Sequence, residues 1–227
     1  MRILLLSVLL LISFPLFAQL PFYLGIDGQY CRLDFQKGYG DSLFSNTTPG
    51  INPIIGAKIN DSFAIEAGYH FSHSSKTTTL QSGPIVGNPN LLAFVSAVTF
   101  VSKTTFKEPH LKFLVFTPKL ANQPVQFFAG IGITNTRARF KFKAVQAGIF
   151  PVNRERTVEK CRSLQTLTIG ALYNLNDTLS MRGTIVFKNT ARLGGFANDG
   201  FQSALYGIPE IKPKNSINYG LGIFYTY

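Results

Sequence analysis

Hydrophobic and polar positions alternate with a period of two along most of the chain. Phe22, Leu24 and Ile26 alternate with Tyr23, Gly25 and Asp27. Phe63, Ile65, Ala67, Tyr69 and Phe71 alternate with Ala64, Glu66, Gly68, His70 and Ser72. The same rhythm runs through residues 125–134, 167–174 and 217–227, and through Leu179, Met181, Ile185 and Phe187 opposite Ser180, Arg182, Thr184 and Lys188. Strict alternation of this kind predicts β-strands with two unlike faces. Eight strands are expected, over residues 22–34, 50–59, 63–74, 108–119, 125–142, 162–175, 179–191 and 214–227. Asn60-Asp61-Ser62 and Asn176-Asp177-Thr178 read as tight turns, because Asn and Asp side chains bond to their own backbone and tolerate left-handed conformations. A slightly longer turn spans 118–124. The intervening connections, about 35–49, 75–107, 143–161 and 192–213, are long.

The smaller face decides the environment. It consists of Gly, Thr, Ser and Asn with few charges, a poor surface to show to water. A soluble sandwich would reverse this arrangement. Large residues facing lipid and small or polar residues facing a narrow interior fit a membrane barrel. Most runs are about 9–11 residues long, enough for a tilted strand to cross a bilayer. The expected fold is all-β: a closed, eight-stranded, antiparallel transmembrane barrel with four long extracellular loops and three short periplasmic turns.

The first segment has a different character. Arg2 precedes the apolar run ILLLSVLLLI at 3–12, followed by Pro15 and Phe17-Ala18-Gln19. A basic start, a short apolar core and a small residue at the break read as a secretory signal peptide over 1–18, leaving 19–227 as the barrel. Pro15 and Pro21 break this run before it reaches the length of a membrane helix.

Composition sharpens the picture. The chain of 227 residues is 45% hydrophobic and 15% charged, which excludes a disordered polypeptide. Two Cys exclude a disulfide framework or a four-Cys zinc site. The net charge of +11 raises nucleic acid as a partner, but for an exported barrel an anionic lipid surface accounts for it better. No metal-ligand spacing involves His73 or His110, and no cofactor is expected.

Three motifs carry a family resemblance: Phe22-Tyr23-Leu24-Gly25-Ile26-Asp27-Gly28, Phe128-Ala129-Gly130-Ile131-Gly132-Ile133, and the closing run Tyr219-Gly220-Leu221-Gly222-Ile223-Phe224-Tyr225-Thr226-Tyr227. With them the chain resembles the eight-stranded outer-membrane barrels that include the OmpA transmembrane domain, OmpX and the opacity-type surface proteins. The resemblance implies outer-membrane localisation in a Gram-negative bacterium, a monomer, and no enzymatic activity. It also implies that Tyr219, Leu221, Ile223, Tyr225 and Tyr227 form the signal read by the barrel-insertion machinery. The family usually ends in Phe, where this chain has Tyr227.

Several residues are candidates for function. Lys58, Glu66, His70 and Arg182 share the inward parity and are expected to form a lumen ion network, either a satisfied plug or a gated ion path as in a small porin-like channel. Lys58 and Glu66 lie diagonally across the first Asn-Asp hairpin. Arg137, Arg139, Lys141 and Lys143 continue the outward parity of Ile131 and Ile133, where lipopolysaccharide phosphates sit. A solvated strand edge and a site for host surface molecules are the other readings of this stripe, and a bulge near Asn135 would flip its parity. Arg154, Arg156, Lys160 and Arg162 add charge to the third long loop. His70-Phe71-Ser72 resembles the His-x-Ser arrangement of eight-stranded lipid A deacylases, with Glu66 as the carboxylate, although parity turns it away from lipid. Cys31 and Cys161 both fall near the outer rim, where a disulfide is sterically possible. Residues 91–101 are too apolar for a free loop; an extension of the fourth strand fits best, and packing into the barrel mouth or contact with a partner are the other readings. The expected function is a structural surface barrel that presents basic loops to lipopolysaccharide or host surfaces. A secreted lipocalin-like barrel is the rival fold.

Overall fold

A computed structural model describes residues 20–36, 43–80, 98–118, 124–146, 152–195 and 212–227. Eight strands, β1 (Phe22–Phe35), β2 (Thr47–Asn60), β3 (Phe63–Leu80), β4 (Val98–Phe116), β5 (Val125–Gln146), β6 (Val152–Asn174), β7 (Leu179–Lys188) and β8 (Pro213–Thr226), pair in sequence order into a closed ring. Every neighbouring pair is antiparallel, including the closing pair β1–β8. The fold is the all-β antiparallel barrel that the alternation predicts. Closure removes every strand edge within the ring, which a sheet in hydrocarbon requires.

The strands are staggered. From Tyr23 the ladder of partners passes Gly56, Glu66, Lys112, Gly132, Thr166, Lys188 and Ser216, and returns to β1 at Leu33, ten residues farther along. Such a stagger around eight strands tilts each strand by about 40° and leaves an interior only wide enough for side chains. The tight packing shows in the glycines. A Cβ at Gly25 would clash with the Phe224 ring, and one at Gly56 with the Tyr23 ring.

The turns use the chemistry their sequences suggest. Asn60 Oδ1 accepts from the Ser62 amide at 2.9 Å, and Asn176 Oδ1 accepts from the amides of Thr178 at 3.0 Å and Leu179 at 2.6 Å. The β2–β3 register places Lys58 opposite Ala64 and Gly56 opposite Glu66, with an irregularity beside the turn, where Asn60 rather than Ile59 faces Phe63.

The outer face is an apolar belt. Ile131, Leu221 and Ile133 are 65%, 63% and 61% exposed, and each of the eight strands contributes similar residues. Phe22, Phe63, Phe127, Tyr173, Tyr225 and Tyr227 lie exposed at the turn end, and Tyr30, Tyr69, Phe71 and Tyr219 toward the loop end. Soluble monomers rarely expose a continuous apolar surface of this extent. The interior meanwhile holds Asp27, Glu66, Glu108, Lys112, Arg182 and Lys188. This inside-out partition is the reverse of a lipocalin.

The strand boundaries correct the sequence reading at the loop end. β4 begins at Val98, β5 runs to Gln146 and β6 begins at Val152, so most of 98–107 and 143–161 is sheet rather than long loop. The third loop is therefore short. Val98–Val101 extend β4 as expected, while 91–97 lie outside the described residues. β7 stops at Lys188 and a short 3-10 helix follows at Thr190–Leu193.

The reason for the misreading is physical. Above the belt the outward face leaves lipid for water, so hydrophobicity changes sides while the alternation continues. β5 turns Ile131 and Ile133 outward but Phe140 and Phe142 inward, and β4 does the same with Leu111 and Phe106. The inward set joins Leu33, Phe35, Leu43, Phe44, Phe100, Leu164 and Leu193 in a dry cluster that corks the loop end. Phe44 packs edge-on against Phe140 at 5.6 Å, and Ser102 Oγ donates to the Leu43 carbonyl. A second cluster of Tyr23, Ile54, Ala64, Leu114, Phe116, Phe128 and Phe224 floors the turn end.

The purified chain should need detergent for extraction and migrate differently on denaturing gels before and after boiling. Solubility without detergent, with coincident bands, would contradict a closed membrane barrel.

Candidate functional site

Between the two apolar clusters lies a charged middle layer. Arg182, on β7, reaches across the barrel. Its Nη1 donates to Glu66 Oε1 of β3, and its Nη2 to Asp27 Oδ2 of β1 at 3.1 Å. Tyr23 Oη donates to the same Glu66 oxygen at 2.7 Å, and Asn52 Nδ2 to Asp27 Oδ2 at 3.5 Å. The guanidinium lies 3.8 Å from the centre of the Phe224 ring, a cation–π contact in a desolvated setting. Lys112 stands directly opposite Glu66 across the β3–β4 ladder and adds positive charge to the layer.

A second knot lies nearer the loop end. Glu108 of β4 accepts from Lys188 Nζ at 2.6 Å and from Thr136 Oγ1 at 2.8 Å, and bonds His70 Nδ1 at 2.6 Å. Three carboxylates and three fixed cations thus interleave inside the ring. Buried charges persist when paired and hydrogen-bonded in this way. Small cavities of about 20 Å³ lie among these groups, each with space for about one water.

Of the expected lumen residues, Glu66 and Arg182 meet directly, His70 belongs to the separate Glu108 knot, and Lys58 lines the small cavity beside Tyr23, Glu66 and Arg182. The carboxylate partner of His70 is Glu108, not Glu66. Ser72 and His70 are both buried in the interior, and neither Ser72 Oγ nor His70 Nε2 has a hydrogen-bond partner among the described residues. The His-x-Ser motif therefore faces neither lipid nor solvent. Asp27 and Lys188 were legible as inward positions, but their partners were not. Glu108 and Lys112 share the inward parity opposite Leu111, Phe113 and Val115, but no motif singled them out.

The cysteines do not pair. Cys31 is buried on the inner face of β1, and Cys161 is exposed on the outer face of β6. The barrel wall separates them, and Cys161 Sγ instead donates to Asn135 Oδ1 at 3.2 Å.

On the outside, the β4–β5 and β5–β6 registers show no shift near Asn135. Arg137, Arg139, Lys141 and Lys143 therefore stay on the face of Ile131 and Ile133. Arg137 lies four residues beyond Ile133, roughly 10 Å farther along the barrel axis. Lys107 of β4 stands opposite Arg137, and Lys103 opposite Lys141. These two lysines were missed as loop residues, although the alternation of Lys103, Thr105 and Lys107 with Ser102, Thr104 and Phe106 continues without a break. On β6, Glu159 Oε1 lies 2.5 Å from Arg137 Nε and its Oε2 3.4 Å from Arg139 Nε, while Glu155 accepts from Lys141 Nζ at 2.7 Å. The Lys141 hydrogen bond holds the Glu155 carboxyl below the usual carboxylate range. Arg156, Lys160 and Arg162 fall on the opposite parity of β6, across from Phe142, Ala138 and Thr136, and do not add to this stripe.

No protein-family model and no curated protein matches the chain. Among solved structures, Ail, the attachment invasion locus protein of Yersinia pestis, aligns over 92% of this chain and 97% of its own at 9% identity and a TM-score of 0.48. Neisserial surface protein A aligns over 91% and 97% at 12% identity and a TM-score of 0.45. OprG from Pseudomonas aeruginosa aligns over 91% and 96% at 11% identity and a TM-score of 0.49. The eight-stranded ring rests on the strand pairing of this chain itself, and no role is carried over from these distant likenesses.

Replacing Arg182 by Leu should strand Asp27 and Glu66 in the interior and cost about 3–5 kcal/mol, read by urea titration in detergent micelles. The triple change Arg182→Met, Glu66→Gln, Asp27→Asn should cost less than the single one. An unchanged midpoint for Arg182→Leu would show that the network bears no stability.

Proposed function

We propose that this chain is a non-enzymatic outer-membrane barrel whose basic outer stripe engages the anionic headgroups of lipopolysaccharide. The observation that supports this reading is the position of the Lys107–Arg137 pair. It faces outward, directly above the apolar belt, at the level where lipid phosphates begin. Loop tips would suit a host receptor better than this belt-edge row does. Guanidinium and ammonium groups bind phosphate through charge-assisted hydrogen bonds, and each basic residue near an anionic surface contributes about 1 kcal/mol.

The lumen supports a structural role rather than transport. Its buried carboxylates Asp27, Glu66 and Glu108 are each paired with Arg182 or Lys188, apolar clusters lie toward both ends, and the small cavities among these groups are about 20 Å³ each. The interior acts as a plug that fixes the register of the wall.

The quadruple variant Arg137→Ala, Arg139→Ala, Lys141→Ala, Lys143→Ala should keep heat-modifiable migration and lose about tenfold or more in lipopolysaccharide binding at low salt. The loss should shrink as salt rises. Equal binding by the variant and the parent would refute the assignment.

A further inference from the structure

One carboxylate holds the two arginines at the centre of the stripe. Arg137 and Arg139 project from the same face of β5, two residues apart. Glu159 stands opposite Arg139 in the β5–β6 register and reaches Arg137 diagonally. Each of its oxygens serves one guanidinium, Oε1 at 2.5 Å from Arg137 and Oε2 at 3.4 Å from Arg139. Glu159 is the least exposed of the three, at 34% against 63% and 61% for the arginines. Lys107 stands across from Arg137 on the other side, supplied by β4. Two guanidinium groups thus share a single planar anion, and Lys107 flanks Arg137 from the neighbouring strand.

We infer that Arg137, Arg139 and Lys107 form a phosphate-monoester site and that Glu159 is its resident competitor, occupying the arginines until a phosphate displaces it. This inference rests on the proposed engagement of anionic headgroups and names the atoms that compete for it. A phosphate monoester offers three acceptor oxygens and between one and two negative charges, where the carboxylate offers two oxygens and one charge. Exposed carboxylate–guanidinium pairs are weak and screened, so the exchange has a small barrier in free energy. Above the belt the incoming headgroup brings its own anchor, the acyl chains in the adjacent bilayer. The carboxylate therefore sets a threshold. Anions that arrive singly and weakly charged do not displace it, whereas a phosphate held at the membrane surface does.

The test uses the full-length barrel in detergent micelles with three probes: lipid A carrying both phosphates, lipid A lacking one phosphate, and inorganic phosphate. Glu159→Gln should bind the doubly phosphorylated lipid about threefold or more tightly than the parent. Asp34→Asn, which makes the same charge change on β1 beside Arg32, should leave binding unchanged. The gain from Glu159→Gln should vanish in an Arg137→Gln, Arg139→Gln background. Glu159→Ala serves as the second variant, because Gln can still accept a hydrogen bond. An equal gain with inorganic phosphate assigns the site to free phosphate; a gain with lipid alone assigns it to a headgroup. Unchanged or weaker binding by both Glu159 variants, with binding still lost in the quadruple variant above, overturns the competitor role while leaving headgroup engagement standing. Equal binding by parent and quadruple variant removes the headgroup reading itself.

Discussion

Backbone hydrogen bonding in a medium without water is the constraint on which the rest of this structure depends. Each strand in hydrocarbon must give its N–H and C=O groups to a neighbour, so the sheet has to close. With eight strands and a stagger of ten residues, closure leaves a narrow interior. The narrowness then dictates composition. Glycine appears where the ring or charged side chain of its ladder partner lies over it, as with Phe224 over Gly25 and Asp27 against Gly222. Each inward charge has to find its counter-charge within one side-chain length. The Arg182 and Glu108 knots are the outcome, and their members come from β1, β3, β4, β5 and β7, so they tie distant parts of the wall together.

The same constraint explains which parts were legible from sequence. Parity was legible, because the period of two is a property of one strand alone: Glu66, His70 and Arg182 face inward and Arg137 and Arg139 outward, as the alternation implies. The Asn turns were legible for a similar local reason. Partnership across the lumen was not. Glu108, the ladder neighbour of His70 on β4, meets Lys188 of β7 because the stagger sets their relative heights, and the stagger is a property of the whole ring. Strand length was obscured where the apolar side changes from outward to inward. Above the belt, Lys103 and Lys107 occupy the face that Leu111 and Phe113 hold within it, so a reader following apolar residues sees the strand end. The cysteines fail to meet for a related reason: both lie toward the loop end, but their parities place them on opposite sides of the wall.

Two surfaces of different character therefore share one wall. The inner one is fixed and desolvated, with its buried carboxylates paired to buried cations, and its role is cohesion. The outer one changes from hydrocarbon-facing to water-facing within a few residues, and its cations sit in loose, exposed pairs with Glu155 and Glu159. Interactions strong enough to hold the barrel are buried away from any partner. Those available to a partner are weak enough to be exchanged.

The closing seam has a consequence for how such a chain is made. β1 pairs with β8, so Tyr23 meets Thr226 and Leu24 meets Tyr225 across nearly the whole length of the polypeptide. No order of synthesis brings these residues together early. Until the last strand arrives, the partly formed sheet has two raw margins, and either could recruit the wrong strand. The seam thus makes assembly an all-at-once event, governed by delivery of the final strand rather than by local hairpin formation.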